Sequence, residues 1–395
     1  MRNFWHLVSF ITIASSIYLG IHYYLYWRIA HGLNLNNSAR LSLRLFLLLA
    51  AWTFLFGEFL SRFYHCYFLK HIGSIWFGIV VLAFTIFVFK DILEIIWPEK
   101  SRWLTSGALF LTIIAVIIAL IGGLKFPRIK DINIPVKDLP RGLNNFSIIQ
   151  LSDLHLSNST AKNWLKLLVE KVNATNPDLI VITGDLTDID LRQYPYYLKI
   201  LRDLKARYGV YAVSGNHEFY LGIEKFEKIA REGNFTLLRN TYTTIAEKII
   251  LAGVDDTMAI NFSEAPPDLN RIFADNKKQL PILLLAHQPS VFGQIAQQRT
   301  VIQLSGHTHA GQIPPMTWLI HLYTRFTYGL YRTGDSYLYV TSGAGTWGPP
   351  MRLFAPSEIP RIRLINSPAL SQSTTRRLER KNIPNLGGKN ALGKN

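Results

Sequence analysis

Cysteine is all but missing from this 395-residue chain, where Cys66 stands alone. No intramolecular disulfide can form, and a thiolate-based zinc site is excluded. Any metal site must be built from His, Asp, Glu, Asn and water. Dense basic runs are missing too, although the formal net charge is +16. The surplus divides into +5 over residues 1–124, +6 over 125–366 and +5 over 367–395. No stretch interleaves basic with aromatic side chains, so a nucleic-acid partner is not expected. A bilayer with anionic lipid, or a phosphate-bearing substrate, accounts for the balance equally well.

What is abundant is apolar sequence, concentrated in residues 1–124. Residues 4–27 carry no charge and have aromatic residues at both ends. Residues 41–60, 72–89 and 103–123 give three further apolar runs, the last the cleanest. Each run approaches the ~20 residues that cross a hydrocarbon core, and Trp and Tyr gather at the edges. The expectation is a four-helix transmembrane region and a multi-pass protein of the cytoplasmic membrane.

After Gly123 the texture changes. Short apolar runs (FSIIQLS at 146–152, LIVITG at 179–184, VYAVSG at 210–215, KIILAGV at 248–254, ILLLAH at 282–287, VIQLSG at 301–306, SYLYVTSG at 336–343) read as strands. Between the earlier ones lie helical patterns at 163–178, 196–209 and 226–234, the last stopping at Gly233-Asn234. An α/β domain over 125–366 follows. The polar, basic tail at 367–395 reads as lacking stable order.

The strand ends carry the chemistry. FSIIQLS runs into Asp153-Leu154-His155, LIVITG into Asp185, and VYAVSG into Asn216-His217-Glu218. ILLLA runs into His287, and VIQLSG into His307-Thr308-His309. Gly-Asp and Gly-Asn alone are ordinary turn dipeptides. Five strands that end in metal-competent or acid/base groups are not, because α/β sheets build their sites at that edge.

D-x-H, G-D, G-N-H-E, a lone H and G-H-x-H, in that order, resemble the signature of the calcineurin-like metallophosphoesterases over roughly residues 145–360. The flanking stretches look most like a bacterial membrane-anchored branch, whose relatives include UDP-2,3-diacylglucosamine hydrolase-like enzymes. The resemblance implies a β-sandwich flanked by helices and two divalent metal ions, with Mn²⁺ first and Fe or Zn²⁺ as alternatives. By matched position, Asp153, His155 and His309 hold the first ion, Asn216, His287 and His307 the second, and Asp185 bridges both. The implied reaction is hydrolysis of a phosphoester or pyrophosphate bond by metal-activated hydroxide, with His217 as the acid for the leaving group. Glu218 either orients His217 or is a solvated cap, and Asp188 reads as turn chemistry.

The aromatic segment 314–333 reads as a hairpin packed on the sandwich, or as a lip on the bilayer offering Trp318, Leu319 and Phe326 to a substrate. His321 matches no motif position. The expected partners are a lipid bilayer and a lipid-linked or cell-envelope phosphoester, UDP-2,3-diacylglucosamine among them if the domain is cytoplasmic. Other readings are a catalytically silent metal-binding scaffold and a nuclease of the same fold. Lys100-Ser101-Arg102 before the last run resembles the basic start of an export signal and favours an extracytoplasmic catalytic domain.

Overall fold

The computed structural model describes residues 2–64, 67–269, 280–296 and 300–367. Four helices come first: α1 (Arg2–Gly32), α2 (Asn37–Tyr64), α3 (Tyr67–Ile96) and α4 (Ser101–Leu124). Among the described residues three segments are long and apolar enough to cross a membrane: Asn37–Ser61, Tyr67–Ile96 and Pro98–Leu124. The expected fourth crossing, 4–27, is helical as part of α1. It is not among those three segments.

The remainder builds two six-stranded mixed sheets. The first contains β1 (Arg128–Lys137), β2 (Phe146–Leu151), β3 (Leu179–Thr183), β4 (Val210–Val213), β5 (Thr236–Leu237) and β12 (Glu358–Ser367), in the order β1-β12-β2-β3-β4-β5. The second contains β6 (Thr241–Ile245), β7 (Ile249–Gly253), β8 (Ile282–Leu285), β9 (Val301–Ser305), β10 (Gly329–Thr333) and β11 (Ser336–Val340), in the order β10-β11-β9-β8-β7-β6. The central strands are parallel: β2, β3 and β4 in one sheet, β7, β8, β9 and β11 in the other. Parallel pairing sends the C-terminal ends of the motif-bearing strands to the same edge.

Strand alternation makes the layers. On β2 and β3, Ile148, Leu179 and Val181 join Leu251, Leu283, Ile302 and Tyr339 in a core between the sheets. Ile149, Leu151, Ile180 and Ile182 face the other way, into a core shared with helices. Successive strand side chains point to opposite faces, so both faces of these strands must be apolar. The helices on that outer face are α5 (Lys162–Asn173), α6 (Pro195–Leu201), α7 (Asn216–Leu221) and α8 (Ile223–Glu232). α5 shows the logic: Leu165, Leu168, Val169 and Val172 repeat at helical spacing and are buried. Each such side chain contributes roughly 1.5–3 kcal/mol. The second sheet's outer face is covered by the short α9 (Phe292–Ile295) and by Phe326. The expected helix-flanked β-sandwich is therefore present.

Some boundaries differ from the expectation. α6 stops at Leu201 rather than 209, since the chain turns through Leu204 to reach β4. Segment 314–333 begins not as a hairpin but as helix α10 (Met316–Tyr323); only its end, strand β10, forms the first arm of an antiparallel hairpin with β11. Ser367 closes β12, and the rest of the expected tail, 368–395, lies outside the described residues.

The helical region and the sandwich touch. Leu82 and Ala119 pack with Ile313 and Met351 in one buried cluster. The Arg352 N–H donates to the Ala119 carbonyl of α4 at 2.8 Å.

Candidate metal centre

Each expected ligand leaves the sheet through a short turn just beyond its strand. Asp153, His155, Asp185, His307 and His309 all adopt positive φ, between 45° and 72°. Left-handed backbone is uncommon for residues other than glycine, Asp and His being among those that adopt it more readily, and it carries a cost of order 1–3 kcal/mol each. Five of the seven expected ligands share it, so the chain is bent to aim side chains at one place.

They converge on two adjacent groups. His155 Nε2 lies 3.1 Å from His309 Nε2, and His309 Nε2 lies 3.5 Å from Asp153 Oδ1. His307 Nδ1 lies 3.3 Å from His287 Nε2 and 3.0 Å from Asn216 Oδ1. Asp185 stands between the groups, with Oδ2 3.2 Å from His287 Nε2 and 3.7 Å from His155 Nε2. All seven residues expected to hold metal are therefore brought together, in the expected partition. Asp153/His155/His309 and Asp185/His287/His307 each present ligand atoms mutually within 4.8 Å.

The partners behind the ligands decide which atoms face inward. His287 Nδ1 donates to the Thr183 carbonyl at 2.8 Å, which leaves Nε2 as the free lone pair. His155 Nδ1 meets Asp188 Oδ1 at 2.9 Å, which likewise frees Nε2. The electrostatics ask for positive charge. Burial would lower His155, yet the carboxylates of Asp188, Asp185 and Asp153 raise it to about 9. Burial would lower His287 too, and Asp185 and Asp153 raise it well above its usual value. Burial, His155 and the Arg352 guanidinium hold His309 well below its ordinary value, in the neutral form that ligates metal. A buried carboxylate–imidazole set that gathers protons fits divalent cations in their place.

Asp188 corrects the turn reading. One oxygen, Oδ1, holds His155 Nδ1 at 2.9 Å and His217 Nδ1 at 2.8 Å. Burial would raise its carboxyl, and the neighbouring His155 and His217 hold it below the usual carboxylate range. It therefore ties the first metal group to the proposed acid. The signal was present as a second carboxylate three residues after Asp185.

Glu218 does not orient His217, nor is it a solvated cap. Its side chain is fully buried and accepts from the backbone N–H groups of Asp185 at 2.9 Å, Leu186 at 2.8 Å and Gly215 at 2.6 Å. It clamps the turn after β3 onto the start of α7. Burial pushes its carboxyl up to about 7, with Asp185 adding to the rise and the Gly215 amide opposing it.

His217 itself is partly exposed. Its ring is bordered by His155, Tyr220 and Trp347, at centroid distances of 4.6, 5.5 and 6.3 Å. Of the expected substrate lip, Trp318 and Leu319 are exposed on α10. Phe326 is not: it is buried against Phe292 and Tyr331, because it fills the outer core of the second sheet. His321 lies 3.4 Å from Thr327 Oγ1 and outside the ligand groups.

One residue went unforeseen altogether. Arg352 is buried, donates to the carbonyls of Ser342, Gly345 and Ala355, and stands 3.5 Å from His309 Nδ1. No local pattern marked it. The segment that carries it acquires its role only by lodging between α4 and the metal groups.

Comparison with known proteins agrees with this geometry. Residues 146–311 match the family model described as calcineurin-like phosphoesterase. A "transmembrane protein with metallophosphoesterase domain" of Danio rerio is 36% identical over 66% of this chain and 62% of its own length. An uncharacterized metallophosphoesterase of Campylobacter jejuni is 36% identical over 64% of this chain and 67% of its own. One from Bacillus subtilis is 33% identical over 56% and 79%.

Proposed function

Because the chain belongs to the calcineurin-like metallophosphoesterases, and is by that membership a metal-dependent phosphoesterase, we propose that it works on lipid-linked or cell-envelope phosphoesters at a membrane surface. The observation that carries this reading is Arg352. Its backbone N–H bonds the Ala119 carbonyl of α4, and its guanidinium reaches His309. The metal groups thus lie within about one arginine side chain of an apolar helix long enough to span a bilayer. A scissile phosphate held there sits at headgroup depth.

Asp153, His155 and His309 would hold one ion, Asn216, His287 and His307 the other, and Asp185 both. When bound, two divalent cations supply Lewis acidity and a water acidic enough to give hydroxide near neutral pH. The protein's own groups do the rest. Asp188 fixes the His217 ring through Nδ1, so that Nε2 faces the cleft and can hand a proton to the leaving oxygen. Glu218 keeps the Asp185 turn rigid, which fixes the carboxylate shared by both groups. Mn²⁺ is the first choice of metal, with Fe or Zn²⁺ next.

In this reading α1 supplies a fourth crossing, the protein is a multi-pass protein of the cytoplasmic membrane, and the catalytic domain faces outward. If the domain faces the cytoplasm instead, UDP-2,3-diacylglucosamine becomes the leading substrate, since UDP-linked precursors are made there.

The test compares kcat/KM on an acylated phosphoester with that on its water-soluble headgroup, in detergent micelles. Binding energy from the acyl chain should give a clear preference for the acylated compound. The preference should shrink when Trp318 and Leu319 are both changed to Ser. Equal rates, indifferent to that change, would remove the lipid substrate and leave the phosphoesterase standing.

A further inference from the structure

Helix α10 is an anomaly for a domain surface. Its sequence, Met316–Tyr323, is MTWLIHLY, with no acidic residue, lysine or arginine. None of its residues is buried. Leu322 and Tyr323 are each 80% exposed, and Met316, Trp318 and Leu319 are exposed beside them. Contiguous exposed apolar surface of this kind marks a contact with something apolar.

Its place beside α3 identifies that partner. Gly78 of α3 lies against Met351 and Pro349, and Leu82 packs with Ile313 and Met351. Farther along, Phe89 meets the Trp318 ring edge-on at a centroid distance of 5.9 Å. Residues 78, 82 and 89 fall on one face of a helix with 3.6 residues per turn. From Gly78 to Phe89 is about three turns, or ~16 Å along the axis. α4 ends at Leu124, and its last turns pack on residues 350–352 at the Gly78 end. Phe89 therefore lies deep along the apolar helix pair, away from the domain's main body. Around it Val88, Ile92 and Leu93 are exposed and apolar. The charged residues of the same stretch, Lys90, Asp91 and Glu94, pair with one another and with Arg28, so the exposed side chains beside Phe89 are the apolar ones. His321, the one basic side chain on α10, approaches Thr327 Oγ1 at 3.4 Å.

We propose that α10 is immersed in the membrane hydrocarbon, lying along α3, and that lipid acyl chains cover its exposed face. This rests on the reading of α3 and α4 as membrane spans. A helix suits such a place because its backbone groups are paired internally. Since α10 begins seven residues after His309, the metal centre opens beside the bilayer's acyl chains, and an embedded lipid reaches it without leaving the membrane.

The test uses depth-dependent quenching. Cys66→Ser gives a cysteine-free full-length chain, into which Leu322→Cys or, separately, Tyr323→Cys is introduced and labelled with a nitrobenzoxadiazole probe. The protein is reconstituted into phosphatidylcholine vesicles bearing a nitroxide either midway along the acyl chain or on the headgroup. Ile113→Cys, exposed on α4, marks a span, and Lys166→Cys, exposed on α5, marks water. The expected result is that the 322 and 323 probes are quenched more strongly by the chain nitroxide than by the headgroup nitroxide, as at 113, while 166 is quenched by neither. If 113 is quenched but 322 and 323 behave like 166, or respond mainly to the headgroup nitroxide, the immersion of α10 is overturned and the spans stand. If 113 also fails to respond, the span reading falls and the proposal with it.

Discussion

At the scale of single residues, the centre separates ligands from the groups that aim them. Asp185 faces both metal groups, so Asp185→Ala should weaken both ions, and elemental analysis should find less than the wild-type two per chain. Full occupancy in that variant would sink the assignment. His217→Ala should leave the metal content intact and lower kcat by about 10²–10⁴. Asp188→Asn should fall between them. It loses the carboxylate that holds both His155 and His217, so activity or metal affinity should drop by about 10- to 100-fold. A variant with wild-type kcat and metal content would return Asp188 to a turn residue. Glu218→Gln tests the clamp. Glu218 accepts from four backbone N–H groups, Thr187 included; an amide can present only one acceptor oxygen to them, and its NH₂ would face a donor. A loss of about 1–3 kcal/mol is expected, read as a lower Tm; an unchanged Tm would remove the clamp.

At the scale of elements, the site is made where strands end. Gly306 shows how little room those turns leave. A Cβ there would collide with Ser152 Oγ and Asp153 Oδ2, so the turn after β9 can press against the turn after β2 only because residue 306 has no side chain. Gly306→Ala should therefore displace the Asp153 carboxylate. The first metal should be lost preferentially, while far-ultraviolet circular dichroism stays that of the wild type. Retention of both metals would show that the turn relaxes without moving its neighbour. Asp153 and His309 come from different sheets, so this contact also registers one sheet on the other.

At the scale of the whole molecule, the helical region does more than tether. Its α3–α4 pair receives Ile313, Met351 and Leu353, and Arg352 joins α4 to the segment around His309. Which side of the membrane carries the domain is a separate matter, decided by the charge of the loops. With four crossings, the side holding Met1 and the domain carries Arg2, Arg62 and Lys70 together with the five basic residues from Lys125 to Arg141. Arg28, Arg40, Arg44, Lys90, Lys100 and Arg102 fall on the other side. The balance is narrow, and the basic start before the last span favours export. Alkaline phosphatase fused after Asn395 should be active, and a fluorescent green fluorescent protein fusion at the same point would reverse the orientation.

The local sequence by itself determined the candidate ligands, because strand alternation and the groups after each strand are written within a few residues of one another. D-x-H, G-D, G-N-H-E and G-H-x-H needed no tertiary information to be read, and the seven candidate ligands they name converge in the fold. It also determined the apolar helices, since length and hydropathy are local quantities. The tertiary structure alone decided which polar groups serve those ligands. Asp188 gained its role by lying opposite two imidazoles, and Glu218 lost its expected one because four backbone amides surround it. Arg352 became part of the centre only when its segment lodged against α4. Phe326 and Trp318, eight residues apart in one aromatic stretch, went to opposite environments, core and surface. Partners distant in the chain decide such matters, since the energy of a buried polar or apolar group depends on what the fold places against it.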